Sequence, residues 1–397
     1  MIELEGQYAK AKIMTDFADQ ETISQVYSFI NQEIFKDAKV VIMPDCHKGA
    51  GAVIGFTMPI KDFIIPNIIG VDIGCGIEAY KLGQIDIDFA NFDKYLRQNV
   101  PCGFEVRKTK PPIKRENRDF NERLNIAIDN LKTDYGKKYE IEFDRAWNSI
   151  GTLGGGNHFI EIDVDNAGNK WLVIHTGSRN LGKKIAEFYQ RKAKDFVEKH
   201  KIKGIHTGLE YLYIDDVFGK KYVEDMKLAQ EYASLNRKVI AGVLLRYFKG
   251  IKDNILIDES IFSDIDIIKS IHNYINFNDK IVRKGAISAK SGERLIIPLN
   301  MRDGTIIGLG KGNNEWNSSA PHGAGRILSR NKAKENLSVE EFKKSMEGIW
   351  SSCISKNTID ESPMAYKSKE ELLQFVGDTI DVDFIMKPIY NFKASED

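Results

Sequence analysis

The sequence predicts an α/β chain of α+β character, a single domain over residues 1–397 in which mixed β-sheets are flanked by helices. Three observations point there. Short apolar runs end repeatedly in Gly-rich turns, as strands do. Between them lie stretches whose apolar residues recur at helical spacing. No internal repeat and no Pro/Ser/Gly linker divides the chain, and its candidate metal-binding side chains run from Asp72 to His322, so a site built from them needs most of the chain.

Residues 22–35 carry Ile23, Val26, Tyr27, Phe29, Ile30 and Ile34 at helical spacing. Residues 40–43 form a buried-strand pattern that runs into Pro44-Asp-Cys-His-Lys-Gly49. Residues 52–58 are a second strand. Residues 68–73 are a third, entering a turn around Cys75 that residues 77–80 leave. The charged stretch 107–145 reads as mostly helical, with Leu124, Ile126, Ile128 and Leu131. Strand signals return at 159–162 and 171–174, joined through the hairpin-turn sequence Asp165-Asn-Ala-Gly-Asn169. Residues 181–200 and 222–249 read as amphipathic helices, the second carrying Leu228, Tyr232, Leu235, Val239 and Val243. Strands are expected again over 285–310, around turns such as Arg302-Asp-Gly304, and helices dominate from 326 onward.

Hydrophobic residues make up 42% of the chain and charged residues 29%, as in soluble globular proteins. Lys+Arg and Asp+Glu balance at 57 each, so no global basic field announces a nucleic-acid partner; a local basic groove stays open. Four cysteines are too sparse for a disulfide framework. The start lacks the basic flank and apolar run of a signal peptide. No stretch reaches the roughly 18 uninterrupted apolar residues of a membrane span. The expectation is a cytoplasmic protein with reduced thiols and no membrane partner.

The chemistry concentrates in Gly-rich turns. Asp72 and Cys75 share Gly70-Val-Asp-Ile-Gly-Cys-Gly76, which sets a hard carboxylate beside a soft thiolate. A thiolate can bridge two cations, and two metals suit phosphoryl chemistry; a buried structural cysteine in a packed turn is the plainer account. His158 follows Gly154-Gly-Gly-Asn157, and His175 opens His175-Thr-Gly-Ser-Arg179. One hairpin separates these two histidines, which can bring both imidazoles near one point, although core and capping histidines are commoner. His272, on an apolar element, is by itself an ordinary core group. Small residues, a hydroxyl and Arg179 suit a phosphate, or else form a turn with a surface arginine. His322, in Ser318-Ser-Ala-Pro-His-Gly-Ala-Gly-Arg326, either starts a helix or acts as a nucleophile toward phosphorus, with Arg326 to neutralise phosphates. His47 is placed near the site as a supporting group; His200 and His206 receive no role.

Taken together, Pro44-Asp-Cys-His-Lys-Gly49, Gly70-Val-Asp-Ile-Gly-Cys-Gly76, Gly154-Gly-Gly-Asn-His158, His175-Thr-Gly-Ser-Arg179 and His322-Gly-Ala-Gly-Arg326 resemble, in order, the motifs of the RtcB family of RNA ligases. The match extends to Pro363-Met-Ala-Tyr-Lys367 and Lys393, over nearly the whole chain. The resemblance implies an RtcB-like fold and a GTP- and Mn²⁺-dependent ligase. It joins an RNA 3′-phosphate, or a 2′,3′-cyclic phosphate after hydrolysis, to a 5′-hydroxyl. Carried over, Cys75 is the thiolate shared by two Mn²⁺ ions; Asp72 and His158 complete one set, His175 and His272 the other. His322 takes guanylate from GTP. Asn157, Glu161, Ala324, Gly325 and Lys393 join His322 in the guanylate pocket, with Glu161 on the guanine N–H edge, and Arg179 meets RNA phosphates. Where many members carry Gly-Ser-Met-Gly, this chain has Leu299-Asn-Met-Arg-Asp303, and it is shorter than the archaeal type, as in a bacterial branch concerned with RNA repair.

Two other functions compete. A metal-dependent RNA-end phosphoesterase needs the metal ligands but not His322. A non-catalytic RNA- or ribosome-binding protein needs neither, and a decayed site would have lost ligands that are all present here. Retention of both sets favours ligation. The physiological RNA and any activating protein partner are not legible.

Overall fold

The structure of the chain, a computed structural model, describes residues 1–113, 118–132, 135–252 and 256–394, without the side chain of Arg118. Strands β1 (Ile2–Glu5) and β2 (Lys10–Ile13) lead to helix α1 (Gln20–Ile30) and strands β3 (Lys39–His47), β4 (Ile54–Pro59) and β5 (Phe63–Ile64). A short helix α2 (Pro66–Ile69) precedes β6 (Gly76–Gly83), then α3 (Phe89–Asn99), α4 (Arg118–Leu131) and α5 (Phe143–Asn148). The hairpin of β7 (Phe159–Val164) and β8 (Lys170–Thr176) feeds two long helices, α6 (Arg179–Lys199) and α7 (Val217–Lys249), with β9 (Leu212–Tyr213) between them. Strands β10 (Ile267–Ile271), β11 (Tyr274–Asn276), β12 (Ile281–Lys284), β13 (Ala286–Ser288), β14 (Arg294–Asn300), β15 (Gly304–Gly310) and β16 (Ser319–Pro321) follow. Helices α8 (Arg330–Asn336), α9 (Val339–Ser345) and α10 (Lys369–Val376) precede a long last strand, β17 (Ile380–Lys393).

Two sheets dominate. One has six strands in the order β1-β2-β3-β4-β12-β11, and its β2–β3 pair is parallel. The other has seven, β10-β6-β8-β7-β17-β15-β14, with antiparallel neighbours throughout. Alternation along its strands separates two faces. Ile160, Ile162, Leu172 and Ile174 pack into the main core with residues of α6 and α7 such as Tyr189 and Val239. Ile77, Phe159, Trp171, Val173, Ile296 and Met386 form a separate cluster on the other face. That second cluster is enclosed because the sheet curls until its outer strands meet: the Ile296 N–H of β14 donates to Ser270 Oγ of β10 at 3.0 Å.

Several sequence expectations change. The apolar run 68–73 is not a strand: Pro66 opens helix α2, a position where its missing N–H is not needed, and the chain turns at Gly70 with φ +87°. The helix expected over 22–35 ends at Ile30, with a separate turn of 3₁₀ helix at Glu33–Phe35. From 326 onward helices do outnumber strands, but the chain returns to the sheet in β17, which carried no expectation and is the longest strand among the described residues. Of the helical stretch 107–145, residues 114–117 and 133–134 lie outside the described residues. Strands β1, β2, β10, β11 and β12 and helix α3 carried no expectation. Among the described residues, no helix is long and apolar enough to cross a membrane.

Candidate metal and nucleotide site

Antiparallel order is what gathers the candidate ligands. Neighbouring strands run oppositely, so the starts of β6 and β7 share one end of the curled sheet with the finishes of β8, β10 and β17. Gly76 pairs with Thr176 and Ile77 with His175; Phe159 pairs with His175; Ile271 pairs with Gly76; Lys393 pairs with Phe159. Cys75 and His158 immediately precede strands, His175 is the penultimate residue of β8 rather than the opening of a new element, and His272 follows β10, its N–H donating to Cys75 O at 2.8 Å.

Two donor groups meet at Cys75: Cys75, His175 and His272 form one, and Asp72, Cys75 and His158 the other. Cys75 Sγ lies 3.2 Å from His175 Nε2 and 3.6 Å from His158 Nε2. His158 Nε2 is 2.9 Å from Asp72 Oδ2, and the Nε2 atoms of His175 and His272 are 3.3 Å apart. A thiol, three imidazoles and a carboxylate aimed at common points fit divalent cations with mixed ligand preference. Burial, with Asp72 beside it, pushes the Cys75 thiol well above its ordinary value. Burial also holds His175 and His272 well below theirs, helped by neighbouring histidines, so both offer neutral imidazoles. For Asp72 burial is the largest influence and works the other way, but the bond to His158 and its charge, with Cys75 and Arg179, together outweigh it and hold the carboxyl at about 2.

The loops are braced from α7. Arg237, buried, donates to Gly74 O at 3.0 Å and Thr176 O at 2.9 Å, and pairs with Glu78 at 3.0 Å. Asn236 accepts from Gly151 N–H at 2.7 Å and donates to Gly177 O at 3.1 Å. A side chain on Gly177 would strike Asp72 Oδ1, so glycine is required there.

His322 follows β16 and faces His272, ring centroids 4.8 Å apart. Its Nδ1 is 2.6 Å from Asp45 Oδ2, and the same oxygen accepts from the backbone N–H of His322 at 3.1 Å and of Gly323 at 3.3 Å. Asp45 is fully buried at the end of β3. An Nδ1–H donated to this carboxylate leaves the lone pair on Nε2. Close approach of the loop to β3 depends on Gly325, at φ +78°, where a Cβ would meet Asp45 O.

A cavity of about 300 Å³ opens over these groups, lined by Cys75, His175, His272 and His322 and by Asn157, Glu161, Ala324, Gly325 and Lys393. His47 also lines it. Leu299, Asn300 and Met301, from the segment that departs from the family pattern, form part of the wall where β14 turns into β15. Glu161 accepts from Asn391 Nδ2 across the strand pair; burial, then Asp163, raises its carboxyl well above the ordinary range. Lys393 Nζ bonds Glu361 at 2.8 Å. Arg330 reaches Glu361 at 2.8 Å and Arg326 reaches it at 3.3 Å, so Arg326 is held by protein rather than left open for phosphates. Burial opposes ionisation of Glu361, yet Lys393, Arg330 and Arg326 hold it at about 2.

Arg179 stands apart from that cavity. It bonds Thr152 Oγ1 at 3.1 Å and Gly103 O at 2.7 Å, and lines a second cavity of about 450 Å³ on the Asp72 and His158 side. Asp45, Asn236, Arg237, Arg330 and Glu361 were not singled out from the sequence. Asp45 lay inside a motif that was, but there the eye goes to His47.

The profile of the family described as tRNA-splicing ligase RtcB matches residues 30–394. The RNA-splicing ligase RtcB of Escherichia coli K12 is 31% identical over 380 residues, covering 91% of each chain. The tRNA-splicing ligase RtcB of Nanoarchaeum equitans is 28% identical, covering 92% of this chain and 90% of its own. The RNA-splicing ligase RtcB homolog 2 of Entamoeba dispar is 26% identical, covering 85% and 76%.

Proposed function

The chain belongs to the RtcB family, and from that premise we propose that this RNA ligase joins RNA 3′-phosphate or 2′,3′-cyclic phosphate ends to 5′-hydroxyl ends, using GTP and two Mn²⁺ ions. The observation that supports it best is the shared Cys75 Sγ between two donor groups, with an anchored His322 beside it. Asp72, Cys75 and His158 would hold one ion, and Cys75, His175 and His272 the other; bound there, the ions would neutralise crowded phosphates. The chain's own residues do the rest. Asp45 holds His322 in the tautomer whose Nε2 is free to attack the α-phosphorus of GTP, releasing pyrophosphate and leaving guanylate on the ring. The RNA 3′-phosphate then takes the guanylate. The 5′-hydroxyl attacks that activated phosphorus, a 3′,5′-phosphodiester forms and GMP leaves. Glu161 and Lys393 receive the base, Asn157, Ala324 and Gly325 the rest of the guanylate, and Arg179 RNA phosphates. RNA repair in the cytoplasm is the setting.

The test is incubation with α-radiolabelled GTP and Mn²⁺, wild type beside His322→Ala, read as protein-bound label on a denaturing gel. Label in the wild type alone is expected. Label surviving in His322→Ala would refute the nucleophile, and no label from metal-loaded wild type would favour a phosphoesterase.

A further inference from the structure

Phe104 has 81% of its surface exposed, and among the described residues no large apolar side chain is more exposed. A lone exposed apolar residue is ordinary, but this one stands on a fixed turn. Gly103 N–H donates to Gly154 O at 3.0 Å, Glu105 N–H to Cys102 O at 3.1 Å, and Arg107 N–H to Asn148 O at 3.0 Å. Gly103 O accepts from Arg179 Nη2 at 2.7 Å. The backbone that carries the ring is therefore tied both to the glycine loop before His158 and to the arginine behind it. The ring stands at the second cavity, whose walls also include Arg145, Lys183, Asp72 and His158.

An aromatic face beside cations, at the edge of a phosphate-handling centre, is the set of groups that holds an unpaired nucleotide: the base stacks and the phosphate meets the cations. The two cavities share Asp72, Asn157 and Arg330. A phosphate at that junction touches both the nucleotide cavity and the metal donors, and the 3′-phosphate is the group that must meet both, because it accepts the guanylate. We propose that the second cavity seats the terminal nucleotide of the RNA strand bearing the 3′-phosphate, with its base stacked on Phe104 and its phosphate reaching past Arg179 to the cation that Asp72, Cys75 and His158 would hold. This rests on the ligase reading, and it makes the enzyme select 3′ ends whose last base is unpaired.

The test measures dissociation constants of a fluorescent single-stranded RNA 3′-phosphate for the full-length wild type, Phe104→Ala and Phe104→Trp. Each protein meets two versions of the RNA, one with an intact and one with an abasic last nucleotide, and a control RNA that is abasic at its 5′-hydroxyl end. Phe104→Ala should weaken binding of the intact RNA by about 5- to 150-fold. The abasic end should weaken the wild type by a similar factor, the two losses should not add, and Phe104→Trp should restore affinity for the intact end. Equal losses on both RNAs, or none, would overturn the proposal. So would coupling of Phe104 to an abasic residue at the 5′-hydroxyl end instead. Guanylylation by radiolabelled GTP without RNA is followed in parallel: its absence from the wild type would sink the ligase reading, whereas the binding cycle alone decides on Phe104.

Discussion

At Cys75 the side chain that two donor groups share is also one that burial makes reluctant to ionise. Only the thiolate is a good metal ligand, so a cation must displace its proton. His175 and His272, held below their ordinary values, are already neutral near neutral pH and release nothing. Mn²⁺ binding should therefore liberate about one proton per metal pair and tighten about tenfold per pH unit below the thiol's raised pKa. Calorimetry in buffers of different ionisation enthalpy measures this, and zero proton release would remove Cys75 from the ligands. Asp45 carries a second prediction. In Asp45→Asn the amide can turn its N–H toward His322 Nδ1 and shift the ring proton to Nε2, where it blocks attack. Single-turnover guanylylation should slow by about 10²- to 10⁴-fold; a rate within a few-fold of wild type would dismiss the carboxylate's role. Cys75, His158, His175 and His322 were legible because Gly-rich turns mark them, whereas His272 was placed only by the family resemblance. Asp45 was not: one carboxylate among 57 acidic residues has no spacing signature toward a histidine 277 positions away.

Helix α7 shows how an element can be legible and its purpose hidden. Leu228, Tyr232, Leu235, Val239 and Val243 announce the helix, while Asn236 and Arg237 look like faults in its apolar face. They are the residues that brace the site loops, and such local conflicts tend to mark function. Arg237→Met would leave Glu78 buried without its cation, which should lower stability by about 3–5 kcal/mol. Adding Glu78→Gln should recover part of that. Chemical denaturation of the metal-free protein is the measurement, and a loss under about 1 kcal/mol would mean that Arg237 is dispensable. Strand β17 escaped notice for a different reason. Ile380, Val382, Phe384 and Met386 alternate as a strand should, but Pro388 argues against a central strand. The structure puts that proline where the β17–β7 register shifts between Pro388 and Tyr390, so its missing N–H is accommodated. In residues 68–73 an apolar run outweighed the signal of Pro66, and hydrophobicity alone does not separate a short buried helix from a strand.

Across the molecule, the candidate ligands clamp the ends of β6, β7, β8 and β10 at one rim of the curled sheet. An ion held there binds the folded chain far better than the unfolded one, so free Mn²⁺ at a hundred times its Kd should add about 2.7 kcal/mol per site. Differential scanning fluorimetry should show the midpoint rising with Mn²⁺ in the wild type and not in Cys75→Ala; an equal rise in both would put the ion elsewhere. The position of β17 bears on how such a sheet comes into being. It lies between β7 and β15, yet of the seven strands it is the last to leave the ribosome. Until it arrives the nascent chain holds two fragments, β10-β6-β8-β7 and β15-β14, each with a bare hydrogen-bonding edge. Long-range pairings of this kind form slowly, and bare edges invite strangers. Protein synthesis thus delivers the rim of candidate ligands before the strand that carries Lys393 and closes the sheet, and the interval between the two is when this chain most needs protection from its neighbours.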